Sequence, residues 1–314
     1  MNAHRSLAAA ALAGAAILYL FGGYSASRNL WPWSWMRQML PHSQSHLDAQ
    51  YNPPRRFTFD EFGRLTGKVQ SEAVDCPTQD ARTAVFLIVG QSNAGNHGGQ
   101  RTVSEYGSRI VNFFDGHCYP ASSPLLGSTG TWGEYWTEAA NQLVHSGRFE
   151  KIVLVPAAVG GTSIARWSAS GDLNPMLRHA MDQVVAMGFK ITHVLWHQGE
   201  TDAAIGMREE DYRSHFRSFV GTLRGAGVMA PIYASVTTKC LVTGPYSEHN
   251  PIARAQAALT SIESGIRPGI NSDQILGEVD RYDGCHVSGS GTSKMALAWA
   301  KLLGSHPELP GQSR

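Results

Sequence analysis

From Ala84 onward, short unbroken apolar runs alternate with longer stretches in which apolar residues recur every three or four positions. The runs Ala84–Val89, Ile110–Phe114, Ile152–Pro156, Thr192–Trp196, Ile232–Val236 and Gln274–Val279 predict strands. The periodic stretches Glu134–His145, Pro175–Met187, Glu209–Arg224, Pro251–Ser264 and Ser290–Leu303 predict helices. Asn174 before Pro175, and Asn250 before Pro251, read as N-caps followed by proline at the first helical position. Gly188 and Gly304 read as C-terminal caps. Strands that alternate with helices imply an α/β protein with a parallel central sheet covered on both faces.

The chain has 314 residues, 42% of them hydrophobic and 16% charged, which suits one large ordered domain rather than a disordered chain. The net charge of +1 and the lack of a basic stripe interleaved with aromatics exclude a nucleic-acid partner. Ahead of the alternating pattern, Arg5 precedes the uncharged Ala/Leu-rich stretch Leu7–Phe21, the form of an export signal. The same stretch is near the lower length limit for a membrane span, and Trp31, Trp33 and Trp35 after it favour an interface. Cleaved signal peptide and retained anchor therefore stay open. Either one sends the domain to an extracytoplasmic space, periplasmic or secreted, with inner-membrane anchoring in the second case. The expected division is a leader (1–27), a linker and strap (28–81), one enzyme domain (82–306) and a short tail (307–314).

Four cysteines in an oxidising compartment allow two disulfides. Of the three pairings, Cys240 with Cys285 is favoured, because both should reach one rim of the sheet; Cys76 then pairs with Cys118. Four free thiols are the competing reading. No CxxC or HxxxH spacing supports a metal site.

Four polar segments carry candidate chemistry. Gly90-Gln91-Ser92-Asn93 follows the first strand and presents a hydroxyl at its carboxyl end, where open α/β sheets place ligands. Gly160-Gly161-Thr162-Ser163 follows another strand, and its paired glycines let backbone approach a ligand closely. His197-Gln198-Gly199-Glu200-Thr201-Asp202 sets several polar groups at a strand end, a place for a wet cleft. Asp283-Gly284-Cys285-His286 sets a carboxylate where it can orient an imidazole from the same loop. Each segment alone is ordinary loop sequence. Together they supply a nucleophile, oxyanion donors, a base and its orienting acid, which points to acyl transfer.

The GQSN, GGTS, HQGETD and DxxH forms, in that order over residues 82–304, resemble the conserved blocks of the SGNH hydrolase superfamily. They are most similar to its sialate O-acetylesterase and carbohydrate-esterase branch. The resemblance implies a flavodoxin-like three-layer α/β/α sandwich and ester hydrolysis without metal or cofactor, acting on acetylated carbohydrate. It implies Ser92 as nucleophile, His286 as base and Asp283 as its orienting acid. The oxyanion donors it implies are the N–H groups of Ser92 and Gly161, with Gly160 as the rival for the second, and the Gln198 side chain. Gln198 departs from the commoner superfamily pattern, which has Asn in that block. Substrate contacts are expected from Asn93, Arg166, Trp167 and Glu200, with Asn96 and His97 as further candidates. Trp132 and Trp136 read as helix-packing residues. The nearest competing activity is acetyl transfer onto a polysaccharide, which would use the same triad. A carbohydrate-binding protein with a dead site and a lipid or thioester hydrolase are more distant alternatives.

Overall fold

Strand β3 (Thr83–Gly90) shows why the central runs are apolar without alternation: every one of its residues is buried. Val85, Leu87 and Val89 join one hydrophobic core, while Ala84, Phe86 and Ile88 join a second core on the opposite face. The computed structural model describes residues 57–305 apart from 70, 241–246 and 263–264, and for 261–262 it describes the backbone alone. The leader, most of the linker and the tail lie outside the described residues.

The chain enters as a small antiparallel pair, β1 (Thr58–Phe59) and β2 (Leu65–Gly67). Beyond β3 come β4 (Ile110–Phe114), β5 (His117–Pro120), β6 (Lys151–Ala158), β7 (His193–His197), β8 (Ile232–Val236) and β9 (Ile266–Asn271). They form a seven-stranded sheet in the order β5-β4-β6-β3-β7-β8-β9. All neighbours are parallel except β4 and β5. Helix α1 (Trp136–His145) and the long C-terminal helix, which begins at Gly289, pack on one face through Trp136, Ala140, Leu143, Met295 and Trp299. Helices α2 (Asn174–Ala186), α4 (Glu209–Gly225) and α5 (Pro251–Ile262) cover the other face through residues such as Leu177, Phe216 and Leu259. The short helices α3 (Glu200–Ala204) and α6 (Ser272–Ile275), with α7 (Gly289–Ser305), complete the order. The architecture is thus a three-layer α/β/α sandwich. Among the described residues no helix is long and apolar enough to cross a membrane.

Several local expectations change. The strand expected at Gln274–Val279 is instead the helical turn α6 followed by a 3-10 turn at Glu278–Asp280. The outermost strand is β9, whose Pro268 and Gly269 disguise it; proline is tolerated there because β9 lies at the sheet edge. Strand β5 was not expected. It doubles back antiparallel through Asp115 and Gly116, which take φ of 47° and 77°, the conformation a two-residue hairpin turn requires. Asn174 is the first residue of α2 rather than its cap, and its side chain donates to Thr222 Oγ1 at 2.7 Å. Asn250 does cap α5, accepting from Ile252 N at 2.9 Å. Gly304 lies within α7.

The described part of the strap lies along the sheet's edge. Leu65 N donates to Ser128 O (2.9 Å), Val74 N donates to Cys118 O (2.8 Å), and a disulfide joins Cys76 to Cys118 on β5.

Candidate active site

Strands β6, β3 and β7 end level with one another, Gly90 standing opposite both Ala158 and His197. The three loops that follow therefore share one carboxyl edge. At Gly90 the strands come so close that an added Cβ would sit 2.0 Å from His197 O, so only glycine fits. The chain then makes a 3-10 turn, Ser92–Ala94. As the first residue of that turn Ser92 has no intrahelical acceptor for its N–H, which stays unpaired among the described residues. Its hydroxyl likewise makes no hydrogen bond to another described residue.

The loop before α7 carries the other two groups. His286 Nδ1 lies 2.6 Å from Asp283 Oδ2. Asp283 Oδ1 accepts from the backbone N–H of His286 (2.7 Å) and of Cys285 (2.9 Å), so one carboxylate both folds the loop and orients the ring. Burial raises the Asp283 carboxyl, but hydrogen bonds from the His286 ring and from the His286 and Cys285 backbone outweigh it and hold it below its ordinary value. Asp283 is thus the ionised partner that an imidazole base requires.

Asn93 fastens this loop to the serine turn. Its Oδ1 accepts from Val287 N (3.3 Å), and its Nδ2 donates to Cys285 O (3.2 Å) and to Glu200 Oε1 (2.8 Å). Arg281 Nη1 donates to the same Cys285 O at 2.7 Å, and a disulfide joins Cys285 to Cys240. The His97 ring stacks on the His286 ring with centroids 5.3 Å apart. A Cβ built on Gly160 would meet Thr129 Oγ1 at 3.2 Å, His97 Nε2 at 3.4 Å and Ser92 Cβ at 3.5 Å. The serine, the glycine block and the His97–His286 stack thus border one small space.

Of the oxyanion candidates, Gly160 N–H is already taken by Thr129 Oγ1 at 2.8 Å. Gly161 N–H has no acceptor among the described residues, which favours Gly161 over its rival. Gln198 does not reach the space. Its side chain is 0% exposed, and its amide donates to Thr162 O (2.8 Å), to Gln91 Oε1 (3.3 Å) and, at close range, to Asp202 Oδ2. Burial pushes the Asp202 carboxyl up to about 6, against the hydrogen bonds from Gln198 and Ile164 N.

The expected substrate contacts divide. Asn93 is buried and holds the loop rather than a ligand. Glu200 is 0% exposed and faces Asn93 and His197, not the cleft. Trp167 is 0% exposed, donates to Thr162 Oγ1 at 3.1 Å and packs edge-on against Trp196, so it is a core residue. Arg166 is half-buried and bound by Asp172 through Nε and Nη2, the shortest contact being 2.6 Å. Asn96 is buried and joins Leu125 and Ser128. Trp132, expected to pack against a helix, is 65% exposed. Thr129 and Tyr282 are the neighbours of the site that the sequence reading missed; a threonine between two loops carries no local signal. Among the described residues no three His, Cys, Asp or Glu side chains gather to hold a metal ion. A cavity of about 920 Å³ lies at the opposite end of the sheet beside Thr83, Lys190 and Ala230.

Residues 82–233 match the family model described as carbohydrate esterase, sialic acid-specific acetylesterase. That segment holds Ser92 and Gly161 and ends before Asp283. Over those residues the chain matches the sialic acid-specific acetylesterase group of carbohydrate esterases. It is a carboxylic ester hydrolase. Among solved structures, a protein from Arabidopsis thaliana shares its fold at a TM-score of 0.60 and 19% identity, over 71% of this chain and 98% of that one. NanS gives 0.47 at 16% identity over 72% and 98% of the two chains. A carbohydrate acetylesterase from Xanthomonas citri gives 0.46 at 16% identity over 69% and 55%. No curated protein matches the chain in sequence. The two disulfides fit an extracytoplasmic setting.

Proposed function

We propose that this esterase removes O-acetyl groups from carbohydrate through an acyl-serine intermediate, with residues 82–306 as the catalytic domain. The observation that carries the reading is the 2.6 Å contact between His286 Nδ1 and an ionised Asp283, in a loop that Asn93 ties to the residue after Ser92. Asp283 holds the imidazole with Nε2 as its free acceptor. Ser92 Oγ attacks the acetyl carbonyl carbon as its proton passes to Nε2. The resulting oxyanion accepts from Ser92 N–H and Gly161 N–H, two donors that no acceptor among the described residues occupies. Collapse breaks the bond to the sugar oxygen, which leaves with the proton from His286. A water, deprotonated by the same ring, then opens the acetyl-serine and acetate departs. Catalytic hydrogen bonds in unliganded sites tighten when substrate arrives, which accounts for the Ser92 hydroxyl having no partner here.

Gln198 has no direct part in this scheme. With its amide bound to Asp202 and Thr162 it supports the second loop from beneath.

The test is acetate release from a panel of acetylated glycans, with p-nitrophenyl acetate as a sugar-free control. Ser92→Ala should lower turnover by about a millionfold while the folded structure persists. Full activity in the purified Ser92→Ala protein would overturn the assignment.

A further inference from the structure

We propose that Trp132 and Tyr282 form a rigid aromatic platform that seats a pyranose ring of the substrate beside His286. This rests on the carbohydrate-ester reading above and names the part of the surface that would recognise the sugar. Trp132 is 65% exposed and Tyr282 57% exposed, although aromatics of this size usually bury their faces. Both stand on segments that frame the reactive groups. Tyr282 directly precedes Asp283, its ring lies 5.9 Å from the His286 ring at an interplanar angle of 22°, and its hydroxyl donates to His97 O at 3.2 Å. Trp132 N donates to Asn96 O at 3.0 Å, next to His97. Gly98 and Gly133 exchange backbone hydrogen bonds of 2.8 and 2.9 Å, joining the Trp132 loop to the segment that carries His97.

The platform is held in place before any ligand arrives. A Cβ on Gly133 would fall 1.6 Å from Gln100 O, so the two segments touch through backbone alone. Arg101 lies over the Trp132 ring at 5.4 Å and donates to Thr131 O at 2.8 Å. A ring fixed this way loses little freedom on binding, and its apolar face suits the C–H face of a pyranose. The sugar's hydroxyls would then lie near the guanidinium, a multiple donor. An acetyl ester on such a sugar would project toward the space between Ser92 and Gly161.

The full-length chain is tested on acetylated xylo-oligosaccharides and on p-nitrophenyl acetate. In Trp132→Ala the ratio of kcat/KM for glycan to that for p-nitrophenyl acetate should fall about tenfold or more, mostly through KM, with Trp132→Phe restoring much of it. Separately, tryptophan fluorescence of Ser92→Ala protein is titrated with xylohexaose, cellohexaose and chitohexaose. At least one should quench it, and Trp132→Ala should abolish that quenching. A ratio unchanged within about twofold of unity overturns the platform, as does a lack of quenching by all three sugars. If the wild-type chain cleaves p-nitrophenyl acetate yet deacetylates no glycan, the carbohydrate-ester reading falls, and the fluorescence result alone upholds or sinks the platform.

Discussion

Two loops at the same edge of the sheet carry nearly the same chemistry and use it differently. The loop of Asp283 and His286 keeps a carboxylate and an imidazole partly open to solvent, with side-chain exposures of 36% and 23%. The loop of His197, Glu200 and Asp202 buries its carboxylates and imidazole. Burial, reinforced by the positive Arg281, pushes the His197 ring down to about 3, and burial raises the Glu200 carboxyl, so both are held toward their neutral forms. In the first loop hydrogen bonds favour the charged carboxylate; in the second, loss of water decides. Residue type therefore does not separate reagent from scaffold. Where the hydrogen bonds go does: Asp283 points to the ring it orients, while Glu200 points to Asn93, which fastens the first loop in place.

Breaking the open loop should cost most. Asp283→Asn should lower kcat on p-nitrophenyl acetate about ten-thousandfold, because the imidazole loses the partner that fixes its tautomer. An effect below about tenfold would remove Asp283 from the triad. The buried loop should act through position. Glu200→Ala removes the closer of the two acceptors of Asn93 Nδ2 and should lower kcat by roughly 10- to 100-fold with KM little changed. Glu200→Gln keeps an oxygen there and should stay within about threefold, since the native carboxyl is held toward its neutral form. Equal losses in the two variants would mean that the negative charge itself is needed.

The disulfides sharpen the contrast at smaller effect. They close loops of similar length, with sequence separations of 42 and 45 residues, so chain entropy predicts a similar stability loss of roughly 4 kcal/mol for removing either one. Only Cys240–Cys285 adjoins His286. Replacing that pair with alanines should lower kcat about tenfold where the protein is still folded, whereas losing Cys76–Cys118 should change it less than about twofold. Steady-state kinetics beside thermal melts separate the two cases.

The smallest effect concerns pH. Burial first, and the neighbouring His286 charge second, push the His97 ring from its ordinary 6.5 down to about 4. The unfolded chain then takes up this proton before the folded one as pH falls. The stability linked to His97 is intact above about pH 6.5 and is lost between there and about 4. His97→Gln should make the acid-side loss shallower by at most ~1.4 kcal/mol per pH unit, measured by urea denaturation from pH 7 to 4.

Most of the sheet was legible because buried parallel strands must be apolar on both sides, and Ala84–Val89 or Ile232–Val236 offer no other reading. The edges were not. Strand β9 contains Pro268 and Gly269, and β5 contains His117 and Pro120, so neither shows the unbroken apolar run of a buried strand. Ser92, Asp283 and His286 stood out through residue type and spacing within short loops, which survive folding unchanged. Gln198, Glu200 and Trp167 misled for a shared reason: a polar or aromatic residue beside a cleft motif reads as a contact, yet whether it turns inward depends on distant partners such as Tyr212 and Trp196. Trp132 misled in the opposite direction.

The bonds from Asn93 to residues 285 and 287 span 192 and 194 positions of the chain. During synthesis the serine turn therefore leaves the ribosome long before the loop of Asp283 and His286. Under the proposed mechanism a nascent chain stopped short of Asp283 would lack the groups that activate Ser92. On that reading the emerging polypeptide stays chemically silent toward esters until residues 283–286 have been made.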